Sequence, residues 1–290
     1  MPQDFLAKKM SKKLLKLTKN KLEKLLKNTG DMALKRRARM IVEELDIHNG
    51  DRIIDVGCGD GYYLYILSNL GMRLSLTGID FDRRALESAK KNLKDKKIKL
   101  DYGNLMERLP FSDSTFDKAV MSEVVEHLPN DVKGLTEVRR ILKKDGILIL
   151  TVPNARYPFL WDPVNWLLER LLNTHIKSGF WAGIWNQHIR LYKPRQIQRV
   201  VSKAGFRVSK VESLTFWCLP FNHYLLNFGA RILAKDKSNN LTKGANKFLI
   251  SGKRNPITGL FFTLSGLVDS LNDFYMPKSF GVSIFLKSKK

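Results

Sequence analysis

From residue 52 to residue 152 the apolar positions alternate between two rhythms. Short apolar runs recur at Ile53–Val56, Leu74–Ile79, Ile98–Tyr102, about Phe116–Met121 and Ile147–Val152. Runs of that length, apolar on both faces, predict strands of a buried parallel sheet. Between them the apolar residues fall at helical spacing, and cap signals mark the ends. Gly71 closes the helix after the first strand, and Asp82 opens one that carries Ala85, Leu86, Ala89 and Leu93. Asn130 or Asp131 opens another, which turns Val132, Leu135, Val138, Ile141 and Leu142 inward and stops near Gly146. Ahead of the first strand, Asp31 is placed to cap a helix through Ile47 with Met32, Leu34, Met40, Ile41 and Leu45 as its apolar positions. Strand and helix in alternation predict an α/β fold with a doubly wound, mostly parallel sheet.

The rhythm breaks twice. Residues 154–190 cluster Trp161, Trp166, Trp181 and Trp185 with Pro158 and Pro163. A helix from about Pro194 to Ala204 and a strand Phe206–Leu214 follow, and a last strand falls at Gly281–Leu286, which makes seven. The stretch between those last two strands is too long for a hairpin connection and reads as an insertion, apolar and basic together. The organisation predicted is a basic amphipathic helix within residues 1–30, then one α/β domain over 31–290 with lid-like insertions at about 154–190 and 215–280.

Charge changes the picture. Fifty-one Lys and Arg against 28 Asp and Glu give a net +23 over 290 residues. The excess sits at the ends: residues 1–30 hold nine Lys against Asp4 and Glu23, and residues 231–290 hold eleven basic against three acidic residues. Such ends point to an anionic partner surface, membrane or nucleic acid. Over residues 4–28, Leu6, Met10, Leu14, Leu17 and Leu25 share one broad face among Lys, which suits a helix lying on an anionic leaflet; packing on the protein's own core is the plainer alternative. Two cysteines, Cys58 and Cys218, suggest no disulfide framework and a reducing compartment. With no signal-peptide pattern and no run of transmembrane length, the expected location is cytoplasmic, peripheral on the inner face of the membrane.

Candidate chemistry centres on Arg52–Tyr65, where Asp55, Gly57, Gly59 and Gly61 form Asp-x-Gly-x-Gly-x-Gly between the first strand and its helix. A dinucleotide fingerprint would need its third glycine at position 62, and Tyr62 is there. Asp80 ends the second strand, where a carboxylate can take both hydroxyls of a ribose, and Phe81 beside it would lie against an adenine. The glycine motif resembles the first motif of the class I S-adenosylmethionine (SAM)-dependent methyltransferases. The segment LPFSDSTFDKAV and the AGF at 204–206 resemble the ubiquinone and menaquinone biosynthesis methyltransferases. The resemblance covers about residues 31–214 and implies a Rossmann-like sheet and SAM as cofactor. It implies that the glycine loop, Cys58 included, passes under the methionine part of SAM, that Asp55 supports the loop, and that Asn104 and Leu105 stand at the adenine. It also places Ser122 and the loop after it at the methyl group.

In that loop His127 can take a proton, since imidazole titrates near neutral pH. The spacing Glu123-x-x-Glu126-His127 also resembles two metal-dependent O-methyltransferase families, small-RNA 3′-terminal 2′-O-methyltransferases and quinone-pathway catechol O-methyltransferases, with His188 in a comparable downstream place. Two readings stay open: His127 as a base with Glu126 and His188, or Glu123, Glu126, His127 and His188 holding Mg²⁺ or Zn²⁺. The function expected is O-methylation of a lipid or lipid-linked small molecule at a membrane surface. The alternatives are a 2′-O RNA methyltransferase and a non-catalytic SAM-fold binding protein. Leu, Phe and Ile at helical spacing in the basic ends favour a membrane over nucleic acid.

Overall fold

The computed structural model describes residues 19–221, 224, 247–248 and 256–290. Helix α1 covers residues 19–26, and α2 is Met32–Glu44, capped by Asp31, whose carboxylate accepts from the Ala33 and Leu34 N–H groups. Then β1 (Arg52–Val56), α3 (Tyr62–Asn69), β2 (Ser75–Asp80), α4 (Arg83–Asn92), β3 (Ile98–Tyr102) and β4 (Phe116–Ser122) follow, with α5 (Asp131–Ile141) and β5 (Leu142–Pro153) after them. Asp82 caps α4 and Asn130 caps α5, each accepting a backbone N–H two or three residues on. The first insertion holds α6 (Pro163–Leu172) and a 3-10 segment, Phe180–Trp185. Helix α7 (Pro194–Lys203), β6 (Arg207–Leu214), α8 (Pro256–Phe274) and β7 (Ser283–Lys289) complete the described chain.

The seven strands form one sheet in the order β3-β2-β1-β4-β5-β7-β6, parallel except for β7, which runs antiparallel between β5 and β6. This is the doubly wound, mostly parallel sheet predicted. Successive residues of a strand face opposite layers. In β1, Ile53 packs with the leucines of α1, α3 and α4, and Ile54 and Val56 pack with α5 and α7. The strands bring their C-terminal ends to one edge, where an open α/β sheet binds its ligands.

Three expectations are corrected. Leu142 belongs to a strand, because its backbone pairs with Phe116 across a register shift, so β5 starts five residues early. β7 runs through Lys289 because it is bonded on both sides, and that pairing overrides a polar sequence. Leu22, Leu25 and Leu26 are buried in the main core beside α3, so this end of the basic helix packs on the protein rather than on lipid. Residues 1–18, with Leu6, Met10, Leu14, Leu15 and Leu17, lie outside the described residues, as does most of 222–255. Among the described residues no helix is long and apolar enough to cross a membrane.

Candidate active site

The glycine loop between β1 and α3 is closed by its own hydrogen bonds. Gly57 and Cys58 donate their N–H groups to the Ile79 carbonyl, Gly61 donates to the Cys58 carbonyl, and Gly59 donates to Asp80 Oδ2 at 2.8 Å. A phosphate-binding loop aims such groups at an anion; here they are spent inside the protein. What the loop offers is bare backbone. Gly57 and Gly59 have φ of +73° and +54°. A β-carbon at Gly57 would collide with Val124, whereas one at Gly59 would project into open space. The Gly59 surface is therefore where a ligand can lie flat on the chain.

That space is a cavity of about 920 Å³ at the C-terminal edge of the sheet, lined by Gly57, Gly59, Asp80, Phe81, Asn104, Leu105, Glu123, His127 and Gln187 among others. Asp80 is buried, and its second oxygen accepts from the Asp82 N–H at 2.9 Å, which fixes the carboxylate toward the cavity rim. Phe81 stands 70% exposed beside it, an apolar ring with no protein partner to cover it. Asn104 bonds within its own turn, accepting from the Met106 N–H and donating to Glu107. Among the described lining residues none is Lys or Arg, while Asp80, Asp82 and Glu123 are acidic. An acidic pocket in so basic a chain suits a cationic ligand and offers a phosphate nothing to bind.

Four residues expected at the cofactor stand behind the pocket wall instead. Gly61 is the N-cap of α3 and faces Leu93. The Cys58 side chain is buried, and burial pushes its thiol up. Ser122 is hydrogen bonded to the Tyr63 hydroxyl at 2.8 Å and to Thr151 at 2.7 Å beneath the floor. Asp55 is buried in β1 with neither carboxylate oxygen hydrogen bonded among the described residues, so it does not brace the loop by a bond. Burial, and then Asp80, push it up to about 8, which leaves it protonated at neutral pH.

At the other end of the cavity a 3-10 turn, Val125–His127, follows β4. It turns Glu126 inward, fully buried, with neither oxygen hydrogen bonded among the described residues. Two imidazoles face Glu126: Nε2 of His127 is 3.9 Å and Nε2 of His188 is 3.8 Å from its Oε1. The His127 Nδ1–H donates to the Gln187 carbonyl at 3.0 Å, and the His188 Nδ1–H donates to the Ile184 carbonyl. In that tautomer both Nε2 atoms are basic. Burial, reinforced by Glu123, holds the Glu126 carboxyl well above the usual carboxylate range. Of the three, His127 alone lines the cavity. Glu126 and His188, expected as catalytic, stand behind it and act on a substrate only through it.

Glu123 is outside this cluster. It sits at φ +57°, accepts from the Thr151 hydroxyl at 3.0 Å and is paired with Arg37 at 3.4 Å, so its oxygens are engaged elsewhere. A fourth metal ligand there would have to break both contacts. Sequence reading missed Arg37, Thr151, Tyr63 and Gln187. Arg37 lies unmarked in the basic run KRRAR, and Gln187 acts through its backbone carbonyl, which no side chain announces.

The sheet order with its one reversed strand, and the bare glycine loop facing Asp80, are the arrangement of the class I SAM-dependent methyltransferase fold. The family model described as a methyltransferase domain matches residues 47–205, more than half of the chain, and the chain belongs to that family. It is 31% identical over 144 residues to the ubiquinone/menaquinone biosynthesis C-methyltransferase of Citrifermentans bemidjiense, covering 48% of this chain and 61% of that protein. It is 32% identical over 187 residues to a demethylmenaquinone methyltransferase of Staphylococcus aureus, covering 61% of this chain and 76% of that protein. A putative methyltransferase of Bacillus halodurans shares the fold at a TM-score of 0.53 and 16% identity, over 87% of this chain and 98% of that one.

Proposed function

We propose that this chain transfers the methyl group of SAM to the oxygen of a lipid or lipid-linked small molecule at a membrane surface. The observation that carries the reading is the single cavity joining an acidic, phosphate-excluding cofactor end to the basic Nε2 of His127. SAM supplies an activated methyl group. Gly57 and Gly59 give it a flat bed, Asp80 takes its ribose, and Phe81, Asn104 and Leu105 take its adenine. Methyl transfer then needs an in-line approach, a dry pocket and a place for one proton. His127 Nε2 receives the proton of the acceptor hydroxyl, and the Gln187 carbonyl that accepts from its Nδ1–H supports the charged ring, with Glu126 and His188 packed behind it. The relatives named for quinone methylation support a small apolar acceptor, and so does the lack of cavity cations that an RNA backbone would want.

The same cluster is where a divalent cation would be held. Two imidazoles and one carboxylate, with ligand atoms within 4.8 Å of one another, form a set that suits Zn²⁺ better than the oxygen-seeking Mg²⁺. The buried, unbonded Glu126 fits such an ion, which would stabilise negative charge on an acceptor oxygen. A chelator separates the roles: turnover that survives it and is lost in His127→Ala assigns the base alone.

The test is transfer of labelled methyl from SAM to separated lipid and RNA fractions. Label in the lipid fraction, released by ether cleavage, is the expected result. Label in RNA alone would overturn the acceptor, and label on carbon would overturn the bond formed.

A further inference from the structure

Helix α8 is turned inside out. Three of its polar side chains, Ser265, Asp269 and Asn272, face the protein and are buried. Asp269 is paired with Arg36, and Asp273 with the same guanidinium at 2.9 Å. Asn272 accepts from the Phe216 and Trp217 N–H groups at 2.7 and 2.8 Å and donates to the Trp217 carbonyl at 2.9 Å. The opposite face carries Leu260, Leu264, Leu267, Leu271 and Phe274, spaced 4, 3, 4 and 3 residues apart and 45–87% exposed. A surface helix in water shows the reverse arrangement. An unbroken leucine stripe of this length marks a surface that is covered in use.

The stripe runs on into a second cavity. Past its C-terminal end, Tyr275 and Phe280 are exposed and line an aromatic cavity of about 520 Å³ together with Trp166 and Trp217. Arg170, whose guanidinium lies 3.7 Å from the Trp166 ring, is the one charged residue among the described lining residues, and Arg156 stands over Phe280. Aromatic rings and cations at the edge of an apolar face are the arrangement of a lipid–water interface.

We propose that the outward face of α8 and the aromatic rim beside it seat this protein on a leaflet of anionic phospholipid. Charge selects this occupant. A second copy would bring another +23 against the first, whereas an anionic leaflet complements it. Lys253 and Arg254 precede the helix in sequence and Lys278 follows it. This deepens the lipid-acceptor reading and corrects its sequence-based form. Phe261 and Phe262 do not belong to this face, because both rings lie against Gly30.

The test uses the full chain and vesicles of equal parts phosphatidylglycerol and phosphatidylcholine. Wild-type protein is expected to float with them. A Leu264→Gln, Leu267→Gln, Leu271→Gln variant, which keeps residues 1–30, is expected to lose about tenfold or more of this partitioning while circular dichroism and SAM affinity stay unchanged. A second variant, Leu267→Cys carrying an environment-sensitive fluorophore, reads the face directly, since Cys58 and Cys218 are buried. Its emission should shift to the blue on adding vesicles and be quenched by nitroxide-labelled lipid. Wild-type flotation in the triple variant, or no shift at Leu267, would overturn the proposal. So would a dimer of the wild type that the triple variant loses. Transfer of methyl to a detergent-dispersed lipid acceptor is measured in the same variants. Its loss in the wild type would sink the acceptor reading and leave the docking surface standing.

Discussion

On the glycine-loop side of the pocket the glycine N–H groups and Asp80 are already engaged within the protein. The Gly57, Cys58, Gly59 and Gly61 N–H groups all have protein acceptors, and both Asp80 oxygens accept from backbone. On the opposite side Glu126 is buried with neither oxygen hydrogen bonded and with two imidazole nitrogens 3.8 and 3.9 Å away. The first wall is built before a ligand arrives and offers it a bare backbone and the remaining acceptor capacity of Asp80. The second keeps a buried carboxyl without a hydrogen bond among the described residues beside two imidazoles, which is the condition of a group that does chemistry. Asp55 sharpens the contrast. It too is buried and unbonded, and burial keeps its proton on, yet no imidazole among the described residues is aimed at it.

The contrast breaks most visibly at His127. His127→Ala should lower turnover about 10²- to 10⁴-fold, the range of a lost general base, with SAM affinity nearly unchanged. Single-turnover methyl transfer beside calorimetry separates the two. A His127→Ala enzyme at wild-type rate would make the second wall as inert as the first. Next comes Gly57→Ala, which forces a β-carbon into Val124 at a positive φ and should destabilise the fold by about 2 kcal/mol in chemical denaturation. No loss of stability would mean that the loop is less tightly closed than its hydrogen bonds imply. Smallest is Asp55→Asn. The native Asp55 keeps its proton up to about 8, while the unfolded chain releases it near 3.8. Its folded value is raised, so stability falls as pH rises through that window, and the slope is negative because the native state binds more protons. Asn should remove that slope; the roughly 4 kcal/mol that it represents at neutral pH is largely offset by the cost of burying an unpaired amide, which leaves a net gain of about 1 kcal/mol. Thermal melts across the window read both effects, and identical slopes would place an unseen partner on Asp55.

The parts legible in the sequence share a cause. Strands β1 to β4 and helices α3 to α5 are set by local periodicity and caps, so Asp31, Asp82 and Asn130 mark their helices correctly. Gly59, Asp80 and Phe81 are legible because a turn and a strand end fix their place. The rest depends on who the neighbour is. Leu142 and Lys289 are strand residues only because Phe116, Ile147 and Arg207 lie beside them. Leu22 and Leu25 have the same helical spacing whether a bilayer or α3 covers them. Glu126 and Glu123 look alike in Glu-x-x-Glu-His, and only the fold shows one unbonded and the other tied to Arg37. The leucine stripe of α8 reads as apolar in any orientation, and its outward turn is decided by Arg36 and the Trp217 backbone.

The most direct test of the account is calorimetric titration of SAM into wild-type protein and Asp80→Ala. The account predicts one site per wild-type chain. It predicts a loss of about 2–3 kcal/mol, roughly thirty- to a hundredfold in affinity, when the carboxylate that holds the ribose is removed from a folded variant. Unchanged affinity in folded Asp80→Ala, or no binding by the wild type, would contradict it.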